Sequence, residues 1–214
     1  MTRTRIKICG LTRESDVDAA VAAGTDALGF VFYRRSKRAV DVGTAARLMA
    51  RVPPFVSKVA LFVNSDENDV RECLARLPID VLQFHGDETP AACEAPGRPY
   101  LRAARMASGF DLVDFARQFS SAQAILLDAH VEGYGGGGKV FDWSLIPVNV
   151  SRPVVLSGGL HAGNVIEGIL QVRPWAVDVS SGVEAAKGIK DAAAIRRFCE
   201  AVREADARIA DSET

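Results

Sequence analysis

The sequence predicts an α/β protein with a single-domain (β/α)8 (TIM) barrel, and three observations support that prediction. Short apolar runs typical of buried parallel strands recur along the chain, with amphipathic, helix-like stretches between them. Successive strand starts lie roughly 20 to 30 residues apart, the size of one strand–helix unit. Eight such units in 214 residues favour a small closed barrel.

Eight strands are predicted from apolar runs that end at turn residues. They are Ile6–Cys9, Ala27–Phe32, Val56–Val63, Val81–His85, Tyr100–Arg105, Ala124–Asp128, Val154–Ser157 and Ala176–Ser180. An open doubly wound sheet is the alternative, but it usually has fewer strands and a GxGxxG turn after the first of them. Gly10-Leu11-Thr12 does not match that fingerprint.

Helices are predicted where apolar residues recur with helical spacing. The clearest are Glu14–Ala23, Ala45–Arg51, Asn68–Arg76, Val165–Val172 and Asp191–Arg208. No change of composition indicates a linker, so residues 1–214 are assigned to one domain. The polar end of the chain, residues 208–214, is expected to fray.

Composition and charge exclude several classes of protein. A net charge of −1 gives no general attraction to nucleic acid or to an acidic membrane, and we expect neither partner. Without a signal-like or membrane-spanning apolar run, a reducing cytoplasm is the expected location. The four cysteines Cys9, Cys73, Cys93 and Cys199 lack zinc-ligand spacing, so no metal site is expected.

Alternation along the first and last strands predicts a buried ion pair. Lys7 and Cys9 share one face of the first strand, and Asp178 shares a face with Ser180 in the last. Helices cover the outside of a barrel, so these polar faces should point into the lumen. Strands one and eight become neighbours on closure, and either charge buried alone would be costly. Lys7 and Asp178 should therefore lie within roughly 6 Å of each other.

The carboxyl ends of the strands carry the candidate catalytic residues, because active sites of such barrels lie at that end. An isolated thiol such as Cys9 is more often a small buried hydrophobe. Asp128 closes an apolar strand, a position suited to a general acid. His85 is equally consistent with a pocket-lining and a structural role. Arg38 is expected to reach the same opening from the second strand–helix loop.

Two glycine-containing loops after strands seven and eight predict a phosphate site. Gly158 and Gly159 follow one strand, and Ser180, Ser181 and Gly182 follow the next. Glycines allow backbone N–H groups to approach an oxyanion, and serines add hydroxyl donors. The alternative is a pair of tight turns that need glycine for its backbone freedom. The glycine-rich run at residues 134–139 is interpreted as a mobile lid or as slack chain.

The ordered motifs together resemble the phosphoribosylanthranilate isomerase family along essentially the whole chain. The matching stretches are Lys7-Ile8-Cys9-Gly10, Ser36-Lys37-Arg38, Phe62-Val63-Asn64, Gln83-Phe84-His85-Gly86, Leu126-Leu127-Asp128, Gly138-Lys139-Val140-Phe141-Asp142-Trp143, Leu156-Ser157-Gly158-Gly159-Leu160 and Asp178-Val179-Ser180-Ser181-Gly182-Val183-Glu184. Two departures are Arg34, where relatives often have proline, and Gly137, where serine is commoner.

The resemblance implies an Amadori rearrangement of a small phosphorylated aminoaldose in tryptophan biosynthesis. It assigns Cys9 as general base, Asp128 as general acid and Arg38 to the anthranilate carboxylate. The substrate supplies its own electron sink, so no cofactor or metal is expected, and the protein is expected to be a monomer or homodimer. A thiol is mostly protonated at pH 7, so a positive charge, from Lys7 or from a bound iminium, should favour the thiolate.

The sequence leaves two other functions open. One is a related phosphosugar isomerase of histidine biosynthesis, which resembles this barrel but has an aspartate at the first strand end, where this chain has Cys9. The other is a non-catalytic barrel that binds a phosphorylated ligand, which would need neither Cys9 nor Asp128.

Overall fold

Eight parallel strands form a closed barrel in the computed structural model, which describes residues 3–107, 109–129 and 141–212. The strands are β1 (Arg5–Cys9), β2 (Ala27–Val31), β3 (Ser57–Phe62), β4 (Val81–Phe84), β5 (Tyr100–Met106), β6 (Ala124–Ala129), β7 (Val154–Leu156) and β8 (Ala176–Val179). Each strand pairs with its neighbour in sequence, and β8 pairs with β1 to close the ring. The predicted barrel is confirmed and the open sheet is excluded.

Helices surround the barrel, and a small hairpin follows the last barrel strand. The helices are α1 (Glu14–Ala22), α2 (Val42–Met49), α3 (Glu67–Arg76), α4 (Pro90–Glu94), α5 (Leu112–Gln118), α6 (Val165–Val172) and α7 (Ala192–Ser212), and the hairpin strands are β9 (Glu184–Ala186) and β10 (Ile189–Lys190). None of the helices in the described part of the chain is long and apolar enough to cross a membrane.

Two helix boundaries differ from the sequence prediction by three residues or more, each for a local reason. Helix α2 begins three residues earlier than expected, because the Asp41 side chain accepts a hydrogen bond from the Thr44 N–H and caps the first turn. Helix α7 continues to Ser212, beyond its predicted end at Arg208. Ile209 is buried against the barrel, and burying that side chain holds the last turn in place.

The apolar core has two layers separated by the barrel wall. The larger layer lies between strands and helices and includes Ile6 and Ile8 of β1 together with Val177 and Val179 of β8. A smaller cluster fills the lumen. The aliphatic faces of the first and last strands therefore point outward, as their alternation predicts.

The lumen contains the predicted buried ion pair. Lys7 lies opposite Asp178 in the β1–β8 register, and the Lys7 Nζ is 2.8 Å from Asp178 Oδ1. Ser157 of the β7 strand end donates its hydroxyl to the other carboxylate oxygen at 3.3 Å. The prediction is confirmed, and both charges have partners inside the barrel.

Candidate active site

Cys9 ends β1 at the carboxyl opening of the barrel, with only 5% of its surface exposed. Val31, Leu61 and Val63 pack around it as an apolar wall. Gly29 of β2 lies against its other side: a Cβ added there would be 2.7 Å from the Cys9 Sγ and 3.0 Å from its Cα. The thiol is thus fixed by close packing.

The charges beneath Cys9 oppose one another. Burial raises the pKa of the Cys9 thiol above its ordinary value; Lys7 lowers it and Asp178 raises it. Burial lowers the pKa of Lys7, but Asp178 and Cys9 raise it by more, so Lys7 is held as the cation. The expectation that Lys7 favours the thiolate is correct in direction. Its effect is smaller than that of burial.

Asp128 lies at the same opening on β6 and is hydrogen-bonded on both oxygens. Its Oδ1 accepts the Ala129 N–H at 2.9 Å, and its Oδ2 is 3.0 Å from His85 Nε2. The other ring nitrogen of His85 is 3.1 Å from Gln83 Nε2. The three buried side chains of Gln83, His85 and Asp128 therefore form one hydrogen-bonded chain from the carboxyl end of β4 to β6.

Arg38 reaches the opening and is held there by a bidentate ion pair. Its Nε and Nη2 donate to the two carboxylate oxygens of Glu184 at 2.7 and 2.8 Å. Lys190 of β10 donates to the same carboxylate at 3.0 Å. Burial raises the pKa of Glu184, but Arg38 and Lys190 lower it by more, so its pKa is below the ordinary value. This pairing orients the planar guanidinium and leaves its remaining N–H groups for a further acceptor.

The two glycine loops pack directly against each other. Gly158 and Gly159 have φ angles of +77° and +66°, a region that favours glycine. A Cβ on Gly182 would be 1.9 Å from the Leu160 carbonyl oxygen, so the loop after β8 can approach the loop after β7 only as glycine. The structure thus brings together the backbone segments of the predicted phosphate site, including Ser181, which begins a 3₁₀ turn at residues 181–183.

Ser180 has a different contact from the one expected. Its hydroxyl donates to the Cys9 carbonyl at 3.0 Å and accepts from Lys190 Nζ at 3.3 Å. The hydroxyl proton therefore ties the end of β1 to the loop after β8, and it is not offered to a ligand. The predicted role of this side chain as a phosphate donor does not fit this geometry.

Other strand-end residues link the neighbouring loops. Asn64 accepts the Asp87 N–H through its side chain at 2.6 Å, and Arg105 forms an ion pair with Asp87. The Asn64 N–H donates to Glu88 at 2.7 Å. These contacts join the ends of β3, β4 and β5 into one rim. The predicted lid at residues 134–139 lies outside the described residues.

Comparison of the sequence with known families gives a decisive match. The sequence model of the family described as N-(5'phosphoribosyl)anthranilate (PRA) isomerase matches residues 6–201. The chain belongs to the phosphoribosylanthranilate isomerase family. It is 72% identical over 211 residues to the N-(5'-phosphoribosyl)anthranilate isomerase of Methylibium petroleiphilum, covering 99% of each chain.

Solved structures of phosphoribosylanthranilate isomerases have the same fold. The enzyme of Thermotoga maritima is similar with a TM-score of 0.87 and 38% identity, covering 94% of this chain and 99% of that one. Another structure of the family, in complex with reduced 1-(o-carboxyphenylamino)-1-deoxyribulose 5-phosphate, has a TM-score of 0.84 and 36% identity, with the same coverage. The protein is therefore an enzyme of this isomerase family.

The sequence prediction gives no role to three residues that contact predicted residues of this site or one another, namely Gln83, Glu184 and Lys190. Gln83 precedes His85 by two positions, so strand alternation could have placed it on the same lumen face. Glu184 and Lys190 meet only because the β9–β10 hairpin pairs them. Strands of three and two residues are too short to show a pattern of alternation, so the sequence does not predict that contact.

Proposed function

We propose that this isomerase converts N-(5'-phosphoribosyl)anthranilate into 1-(2-carboxyphenylamino)-1-deoxyribulose 5-phosphate, a step of tryptophan biosynthesis, with Cys9 as general base and Asp128 as general acid. The observation that carries the proposal is the position of the two groups at one barrel opening on the non-adjacent strands β1 and β6. A sugar bound in that opening would lie between a thiol and a carboxyl group.

The proposed chemistry begins at the carboxyl group. Asp128 gives a proton to the furanose ring oxygen, the bond from C1 to that oxygen breaks, and the nitrogen lone pair forms a C1–N iminium. The Cys9 thiolate then removes the C2 proton, and the electrons of that C–H bond form a C1–C2 double bond as the nitrogen recovers its pair. The resulting enolamine gains a proton at C1 and loses one from the C2 hydroxyl, which gives the ketone.

The state of the thiol sets a requirement on this mechanism. Burial raises the pKa of Cys9 in the protein alone, so the thiolate is scarce at neutral pH. The iminium formed after ring opening is a cation next to the C2 proton, and an added positive charge lowers the pKa of a nearby thiol. We therefore infer that the substrate completes the activation that Lys7 begins.

Substrate binding is assigned to two parts of the carboxyl opening: the loops after β7 and β8, and Arg38. The backbone N–H groups of the loops that contain Gly158, Gly159, Ser181 and Gly182 would bind the phosphate. The guanidinium of Arg38, oriented by Glu184, would bind the anthranilate carboxylate through its remaining N–H groups. A reducing cytoplasm would keep Cys9 in the free form that the structure has.

The test follows the loss of anthranilate-adduct fluorescence while a phosphoribosyltransferase generates the substrate in situ. We expect turnover by the wild type and a loss of about 10²–10⁴-fold in Cys9→Ala and in Asp128→Asn. Both variants should still bind the reduced product analogue. Cys73→Ala is the matched control, because Cys73 is another buried thiol, on α3, and should keep near-normal turnover.

Two results would overturn the proposal. Wild-type protein that binds the product analogue without turnover would be a phosphate-ligand binder. Near-normal kcat in Cys9→Ala would remove the thiol from the mechanism.

A further inference from the structure

The hydrogen-bonded network of Gln83, His85 and Asp128 contains an acceptor atom without a partner among the described residues. Gln83 is fully buried, and its Nε2 lies 3.1 Å from His85 Nδ1. Its Oε1 is buried without a hydrogen-bond partner among the residues that the structure describes. A buried carbonyl oxygen without a partner is costly, so its retention in the lumen calls for an explanation.

The two ring nitrogens of His85 define what the amide can do. When Nε2–H donates to the Asp128 carboxylate, Nδ1 carries a lone pair and accepts a hydrogen bond from the side-chain N–H of Gln83. If the His85–Asp128 couple takes up one more proton, Nδ1 also carries hydrogen and needs an acceptor. A half-turn of the Gln83 amide would bring the unpartnered Oε1 to that position.

The backbone around His85 is fixed, so the imidazole stays in line while the amide turns. Arg102 of β5 donates through Nη1 to the Phe84 carbonyl and through Nη2 to the Gly86 carbonyl, both at 3.0 Å. These two carbonyls lie on either side of His85. The hydrogen-bonded chain thus has a fixed centre and one end that can adopt two orientations.

We propose that His85 is a proton store for Asp128 and that Gln83 allows the store to be loaded by turning its amide. The proposal rests on the proposed function of Asp128 as the general acid. In the loaded couple, Nε2–H faces Asp128 and Nδ1–H donates to Gln83 Oε1. Both His85 and Gln83 are then positioning residues that act through Asp128.

The proton balance closes within one turnover. The proton on Nε2 moves to Asp128 Oδ2, and Asp128 passes a proton to the furanose ring oxygen. When the enolamine becomes the ketone, the proton lost from the C2 hydroxyl returns to Asp128 and then to Nε2. Nδ1–H stays bonded to Gln83 Oε1 throughout, so no further proton donor is required.

Other charged groups near the couple are accounted for. Arg105 lies directly opposite Asp128 in the β5–β6 register and is paired with Asp87. The Lys7–Asp178 pair and Cys9 belong to the strands β1 and β8 across the lumen. The substitutions at Gln83 leave all these groups in place, so a changed titration of the couple is attributable to the amide.

The test is a ¹⁵N NMR titration of the His85 ring in the full-length protein, which needs no turnover. Gln83→Glu supplies a permanent acceptor and a negative charge at Nδ1, and should raise the titration midpoint by about one pH unit, a tenfold change in proton affinity. Gln83→Met removes the acceptor and should lower the midpoint by a similar amount. Gln118→Glu, on the exposed side of α5, is the charge-matched control and should leave the midpoint unchanged.

Kinetics separate a proton store from a structural contact. Gln83→Met should lower kcat by about 10-fold or more with little change in KM, because proton transfer and not binding is impaired. Midpoints that coincide in the Glu, Met and wild-type proteins would overturn the proposal, and so would shifted midpoints with unchanged kcat. If the Met variant does not fold, the Glu variant alone decides by the direction of its shift. A wild type without turnover would refute the proposed function, while the titration would still test the loading of the couple.

Discussion

Substituting Gly29 by alanine tests whether the close packing of Cys9 positions a reacting thiol. The new Cβ would lie 2.7 Å from the Cys9 Sγ, at least 0.7 Å short of the 3.4 Å at which ordinary contact begins. It would also lie 3.0 Å from the Cys9 Cα, which belongs to the neighbouring paired strand. Both the thiol and the backbone at the end of β1 must therefore shift.

The expected cost has two parts. Overpacking of a filled site destabilises by about 1–3 kcal/mol, and the tight contact to backbone favours the upper half of that range. The sulfur must move by most of an ångström, and a misplacement of about 1 Å costs about 10²-fold in rate. We expect Gly29→Ala to lower kcat/KM by about 100-fold, mainly through kcat, since the binding groups stay in place.

The assays are urea unfolding and the fluorescence-coupled turnover described above. Gly43→Ala is the control: its Cβ meets only an Asp41 carboxylate oxygen at 3.4 Å, and alanine is the better helix former in α2. In a Cys9→Ala background the Gly29→Ala change should cost less stability, since the contact to sulfur is gone. Gly29→Ala with the expected stability loss and wild-type kcat/KM would refute the argument that Cys9 is the reacting base.

Three further predictions concern titrating groups. Asp178→Asn should lower the pKa of Cys9 by removing a negative charge, measured as the midpoint of iodoacetamide alkylation at Cys9 against pH; an unchanged or higher midpoint would contradict this. The pKa of Glu184 is below its ordinary 4.5, so the carboxylate stabilises the fold above that pH, and this stabilisation is lost as the pH falls through the lowered pKa. Glu184→Gln should therefore make the free energy of unfolding, measured in urea, fall less steeply with decreasing pH. Burial raises the pKa of Cys93 to about 12. The buried neutral thiol therefore contributes to the free energy of unfolding below the ordinary pKa of 9.0, and this contribution is lost as the pH rises towards 12. Cys93→Ala should reduce the loss of stability at alkaline pH.

The barrel was predictable because its strands carry a repeated local signal. Apolar runs at regular spacing placed all eight strands within two residues of their observed starts and ends. Alternation then placed Lys7 opposite Asp178, because the side-chain period of a strand is two and closure makes β1 and β8 neighbours. Helix α5 was not predicted, since a segment of seven residues holds too few turns for a helical period to show.

Contacts that depend on several loops at once were not predictable from the sequence. The motif predicts that the Ser180 hydroxyl donates to a ligand. In the structure it donates to the carbonyl of Cys9, which ends a strand distant in sequence. The partner of Arg38 is Glu184, 146 residues along the chain, and their distance follows from loop geometry. Motifs therefore indicated which residues gather at the opening, and the structure was needed to say which atoms are already engaged.

Burial and the pairing of Lys7 with Asp178 together explain why a lysine close to Cys9 does not make it a permanent thiolate. Without Asp178 only burial would oppose the lowering of the thiol pKa by Lys7. A free thiolate is both a strong nucleophile and the form that oxidises. Asp178 takes the short contact at 2.8 Å and offsets the effect of Lys7 on the sulfur. Under the proposed mechanism the iminium supplies the missing charge only when the C2 proton is in place. In that mechanism burial and Asp178 together keep Cys9 protonated until the substrate needs a base.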